Sequence, residues 1–160
     1  MANAFTDTDI TGTLTVNGEE ISGPSVVFAL QAALSLAGKG TGIIASDGAP
    51  ELKVSATSSP SMAVDIAPGA AMIAGVGAGT NGSTTDDMVA PVTNPRIDRV
   101  QFSVADGVNI KTGTENVSPT APTEDADNIS LATIYHRVGE TSIEDADDAT
   151  NGYITDTRSA

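Results

Sequence analysis

From residue 41 onward the chain breaks into short apolar runs, each closed off by Gly, Pro, Asn or Asp, and that spacing leaves little room for anything but β structure. Strands are predicted over residues 42–45, 52–56, 63–66, 71–74, 88–92, 99–104, 108–112, 129–136 and 153–155. Between them lie turn clusters such as Ser46-Asp47-Gly48-Ala49-Pro50, Ser58-Ser59-Pro60, Pro68-Gly69 and Ala105-Asp106-Gly107. Residues 113–128 read as one long surface loop. The expected fold is mainly β, an antiparallel β-sandwich or jelly-roll-like domain over residues 41–160.

Residues 1–40 have a different character, expected to serve attachment and oligomerisation. A polar arm over 1–12 leads to two alternating runs around Asn17-Gly18, a strong hairpin signal because both turn residues need positive φ. Pro24 then suits the first position of a helix over 24–37, and Gly38 suits its left-handed exit. That segment is apolar nearly all round, with Ser25, Gln31 and Ser35 its polar side chains after the start. A helix of this kind is buried on nearly all sides, so Val26, Val27, Leu30 and Leu34 are expected at contacts between subunits. The other possibility is a central helix covered by its own sheet.

Bulk composition removes several function classes. Hydrophobic residues make up 39% of the chain but aromatics only 3%, so the core is predicted to be built from Val, Ile, Leu and Ala. Net charge is −14, from 21 acidic and 7 basic residues. Nucleic acid and anionic membrane surfaces call for clustered Lys and Arg, so neither is an expected partner. The chain has no cysteine, which excludes disulfides, thiolate metal sites and cysteine nucleophiles. The apolar run from Val26 to Leu34 is too short to cross a bilayer, and the start of the chain lacks the basic residues of an export leader.

Candidate sites fail one by one. Gly77-Ala78-Gly79-Thr80-Asn81-Gly82 matches G-x-G-x-x-G, but the Ser83-Thr84-Thr85-Asp86-Asp87 that follows has no helical period and carries two carboxylates. It is predicted to be a flexible hairpin tip. The single histidine, His136, ends a predicted strand without any Gly-x-Ser-x-Gly elbow in the chain, and is expected at the surface or an interface. Asp145, Asp147 and Asp148 are candidate ligands for Ca²⁺, although Gly152 comes too late for an EF-hand loop. Neither a cofactor nor catalysis is expected.

Five segments remain: Val64-Asp65-Ile66-Ala67-Pro68-Gly69-Ala70-Ala71-Met72-Ile73-Ala74-Gly75; Pro95-Arg96-Ile97-Asp98-Arg99-Val100; Gly113-Thr114 with Pro119 and Pro122; Ile129-Ser130-Leu131-Ala132-Thr133-Ile134; and Ile154-Thr155-Asp156-Thr157-Arg158. In this order they resemble the β-sandwich module of tailed-bacteriophage structural proteins, a group that includes upper baseplate proteins, tail appendages and head-fibre or capsid-decoration proteins. The resemblance spans residues 62–158. It implies a non-catalytic virion protein, a homotrimer that decorates or cements the capsid, assembled in the host cytoplasm. Its partners would be other copies of itself and the major capsid protein or a neighbouring baseplate or tail protein. Arg96, Asp98, Asp156 and Arg158 are expected to form structural ion pairs, crossing between strands if the last strand docks beside the Arg-Ile-Asp strand. Two features depart from the pattern: Val76-Gly77-Ala78-Gly79 stands where aromatics are usual, and the sequence ends two residues after Arg158 without a receptor-reading head. The alternatives are a baseplate or tail-appendage adaptor and, from another class, a surface carbohydrate-binding module with the loops at 77–85 and 119–127 as its face.

Overall fold

A computed structural model describes residues 14–16, 19–21, 41–44 and 50–158. The predicted helix, and with it Val26, Val27, Leu30 and Leu34, lies outside the described residues, as does the arm over 1–12. The described chain is mainly β, with several antiparallel sheets. β1 (Leu14–Val16) and β2 (Glu19–Ile21) pair antiparallel with Val16 opposite Glu19, the register that a two-residue connection requires.

Two three-stranded sheets follow. β3 (Gly42–Ile44), β6 (Gly69–Ile73) and β7 (Val76–Thr80) form one, in the order β3-β6-β7. β4 (Val54–Ala56), β5 (Val64–Ile66) and β8 (Ser83–Thr84) form the other, in the order β4-β5-β8. On either side of Pro68-Gly69 the buried residues follow the strand period of two: Val64, Ile66, Ala71 and Ile73 are all buried. The five-stranded sheet holds β9 (Arg96–Ser103), β10 (Gly107–Lys111), β11 (Asn128–His136), β12 (Ile143–Glu144) and β13 (Gly152–Asp156), in the order β10-β9-β11-β13-β12. Its ladders are antiparallel except for β12 with β13.

All three sheets contribute to one core. Ile43, Val54, Val64, Ile66, Ala71 and Ile73 meet Val100, Phe102, Ile129, Leu131, Ala132 and Ile134 there, with Leu52 and Ile143 closing it. Phe102 is the single aromatic side chain in that cluster, and each fully buried aliphatic side chain contributes about 1.5–3 kcal/mol. Tyr135 and Tyr153 instead stack on each other across β11 and β13, with the Arg137 guanidinium over both rings.

Two predicted elements differ. Residues 76–80 are strand β7 and not a flexible tip, because alternating glycines still present backbone groups to β6. Residues 88–92 are not a strand, because the amides of Val92, Thr93 and Asn94 donate to the Glu115 carboxylate at 3.0, 2.9 and 3.1 Å. The long 113–128 loop is largely as expected, with Asn128 opening β11.

Candidate functional site: a buried charge quartet

β9 and β11 pair with a one-residue bulge between Ser130 and Ala132. Ahead of the bulge Ile129 and Leu131 are buried; beyond it Ala132, Ile134 and His136 are. The extra residue reverses which side chains face inward. The bulge thereby turns His136 into the core, where it is 0% exposed and lies opposite Arg96 in the ladder. The expectation of a surface or interface histidine is corrected by this burial.

Arg96 and Asp98, two residues apart on β9, share the same inward face, at 9% and 1% exposure. Arg96 Nε donates to Asp98 Oδ1 at 2.7 Å and Nη2 to Oδ2 at 3.0 Å, a bidentate pair. Nη2 also donates to the Val89 carbonyl at 2.7 Å. The Gly113 N–H donates to Asp98 Oδ1 at 2.8 Å. On the other side, His136 Nδ1 bonds to Glu140 Oε1, and Glu140 Oε2 accepts the Arg137 N–H at 2.7 Å. His136 Nε2 stands 3.3 Å from Asp98 Oδ2. That is ion-pair distance without the linear geometry of a hydrogen bond, and Nε2 is the one buried side-chain polar atom among the described residues that makes none.

Two glycines make the cluster possible. A Cβ on Gly113 would lie 2.0 Å from the Ile97 carbonyl oxygen, and a Cβ on Gly152 would lie 2.7 Å from Glu140 Oε2. Any side chain at either place would push a loop or β13 off the cluster.

Charge balance defines the state of the quartet. Two carboxylates face one guanidinium, so an imidazolium at His136 brings the buried total to zero. Burial opposes the charge on Asp98, but the contacts with His136, Arg96 and the Gly113 amide outweigh it and hold the carboxyl below the usual range. Burial likewise opposes the charge on His136, and Asp98 and Glu140 together raise its pKa above the ordinary value. Among the described residues no hydroxyl bonds to His136. Sealed in this way, the cluster is suited to fixing strands and loops in register and has no room to receive a substrate.

The other candidate residues are used separately. Arg158 grips Asp156 through Nε at 3.0 and 3.1 Å and Nη2 at 2.6 Å, and its Nη1 donates to the Glu51 carbonyl at 2.7 Å. The expected cross-pairing of Arg96 and Asp98 with Asp156 and Arg158 does not occur, because β13 docks beside β11 and not beside β9. Asp145 accepts the Ala56 amide at 2.7 Å, Asp147 pairs with Arg137 at 2.8 Å, and Asp148 caps the amides of Thr150 and Asn151 at 2.8 and 2.7 Å. Among the described residues no three carboxylate or histidine side chains gather as a metal site. Sequence reasoning missed Glu140, which has no signal beyond its i+4 spacing from His136.

Sequence reasoning also missed the loop clamp on the outer face of the five-stranded sheet. There Arg99 donates to the Pro122 carbonyl at 2.8 Å and Gln101 bonds to Asp125 at 2.5 Å. Compared with known proteins, the chain matches no family model, no curated protein and no solved structure.

Proposed function

We propose that this chain is a non-catalytic structural protein of a tailed-bacteriophage virion, a homotrimer that decorates the capsid and bridges neighbouring capsid subunits. In this reading the three sheets over the shared core form a β-sandwich, and residues 1–40 supply the contacts between copies. The observation that supports it most is the use made of the resembling segments. Arg96 and Asp98 are tied into the buried quartet, Pro68-Gly69 connects two strands whose inward residues are core, and Asp156 with Arg158 fastens the last strand to the Glu51 turn. Each is spent on architecture, as a building block requires.

The test is imaging of intact particles of the phage that encodes the chain, with side-chain density assigned to it. Density at every capsid lattice position supports decoration, density confined to the tail or baseplate supports the adaptor alternative, and absence from the particle overturns the reading. In solution, Leu30→Asp is expected to leave a folded β domain that no longer sediments as a trimer. A variant that still sediments as an oligomer would show that the apolar segment does not join the copies.

A further inference from the structure

Three strands end their sheets side by side. β10 pairs with β9 alone, and among the described residues no backbone group bonds to its other flank. β7 and β8 are likewise terminal strands. Gly79 and Thr80 of β7, Ser83 and Thr84 of β8, and Val108 and Ile110 of β10 line an open groove of about 570 Å³, with Phe102 at its base.

A free edge of this kind is a template for another strand, and proteins ordinarily blunt it with Pro, an inward charge or a covering loop. Among the described residues β10 has no Pro, no inward charge and no loop bonded to its free backbone edge. Its one charged residue, Lys111, is engaged by Asp125 on the sheet's other face. The side chains in the groove also alternate. Val108 and Ile110 pack toward the core, whereas Asn109 between them bonds outward to Gln101 at 2.9 Å. A strand laid along β10, about 4.8 Å away, would meet apolar surface at every second residue. At the rim, Asp86 is exposed and makes no hydrogen bond or ion pair with any described residue.

We propose that this groove receives an extended segment of a partner protein as an added strand along β10, with apolar residues at alternate positions and a Lys or Arg set over Asp86. Charge selects the kind of partner. Each copy of this chain carries a net charge of −14, so a second copy would bring like charge to Asp86, whereas a basic segment is attracted. The main-chain bonds to β10 supply affinity, and the alternating pockets supply selectivity. The proposal is independent of the virion reading and holds for any basic extended partner.

The probe is a displayed library of random seven-residue peptides, selected on the full chain and counter-selected on Ser83→Trp, which fills the groove from an exposed position. Enriched peptides are expected to alternate apolar and polar residues and to carry a Lys or Arg. They should slow amide exchange in residues 107–111, bind Ser83→Trp about tenfold more weakly or worse, and bind Asp86→Lys about two- to fivefold more weakly. Unchanged exchange elsewhere shows that both variants are folded. Peptides without a period of two, peptides that bind both variants as well as the parent, or binding with no slowing in β10 would overturn the proposal. So would concentration-dependent protection of β10 in the chain alone, since a second copy would then be the occupant.

Discussion

The imidazole of His136 is caught between two carboxylates with no path to water, so its proton is kept by charge balance and not by solvent. Removing the imidazole leaves two buried carboxylates for one arginine, and an uncompensated buried charge costs about 3–5 kcal/mol. His136→Gln is therefore expected to lose about that much in denaturant unfolding. Adding Glu140→Gln to it should cost far less than Glu140→Gln alone, because the second change restores neutrality; additive losses in the cycle would sink the quartet. The pH dependence has a definite sign. A raised histidine contributes stability that is complete below the unfolded pKa of about 6.5 and is lost as pH rises through the folded value. A depressed aspartate contributes stability that is complete above about 3.9 and is lost as pH falls through the folded value. The contribution of this cluster should therefore be largest between about pH 4 and 6.5, and His136→Gln should flatten the decline on the alkaline side. Gly113 belongs to the same scale. With a Cβ only 2.0 Å from the Ile97 carbonyl, Gly113→Ala is expected to cost about 2–3 kcal/mol, read as a lower denaturation midpoint at unchanged slope.

At the scale of elements, the sequence was legible wherever alternation ran unbroken. Residues 63–66 and 108–112 were expected as strands and lie within a residue or two of β5 and β10. It was not legible where a non-local partner decided the outcome. Residues 88–92 form a continuous apolar run like that of a buried strand, yet a carboxylate from residue 115 takes the amides just beyond Pro91. Residues 77–82 were expected as a flexible hairpin tip, yet β6 supplies to residues 76–80 the ladder that their glycines cannot advertise. His136 was misplaced for the same reason. Ile129 and Leu131 set a phase that points it outward, and only the bulge against β9 reverses that phase. The run Leu131-Ala132, two adjacent apolar residues in an alternating strand, was the local trace of it. The β6–β7 turn offers a direct measurement at this scale. Ile73 pairs with Val76, and both connecting residues have positive φ, 50° at Ala74 and 80° at Gly75. This is the turn geometry that favours Asn-Gly, and alanine is strained in the left-handed region. Ala74→Asn keeps the backbone bond to the Thr41 hydroxyl and should stabilise the protein by about 0.5–1 kcal/mol. Ala74→Val, β-branched at the same φ, should move the midpoint the other way.

For the whole molecule, the charge distribution decides how stability responds to salt. Of the six described Lys and Arg residues, Arg96, Arg99, Lys111, Arg137 and Arg158 are engaged with carboxylates, carbonyls or hydroxyls, and Lys53 is exposed. The acidic excess, by contrast, includes exposed groups such as Asp86, Asp87 and Asp127. Repulsion among such groups is long-ranged and solvent-exposed, so it is screened as the Debye length shrinks from about 30 Å at 0.01 M to about 3 Å at 1 M. The quartet is buried and largely beyond the reach of ions. Salt therefore removes a destabilising interaction while sparing the main stabilising ion cluster, and the melting temperature should rise steadily from low to high NaCl. The size of that rise separates the two contributions. In His136→Gln it should be unchanged, because the lost interaction was never screened. A melting temperature that falls with salt, or a rise that disappears in His136→Gln, would mean that exposed pairs such as Arg137–Asp147 hold the fold more than the buried cluster does.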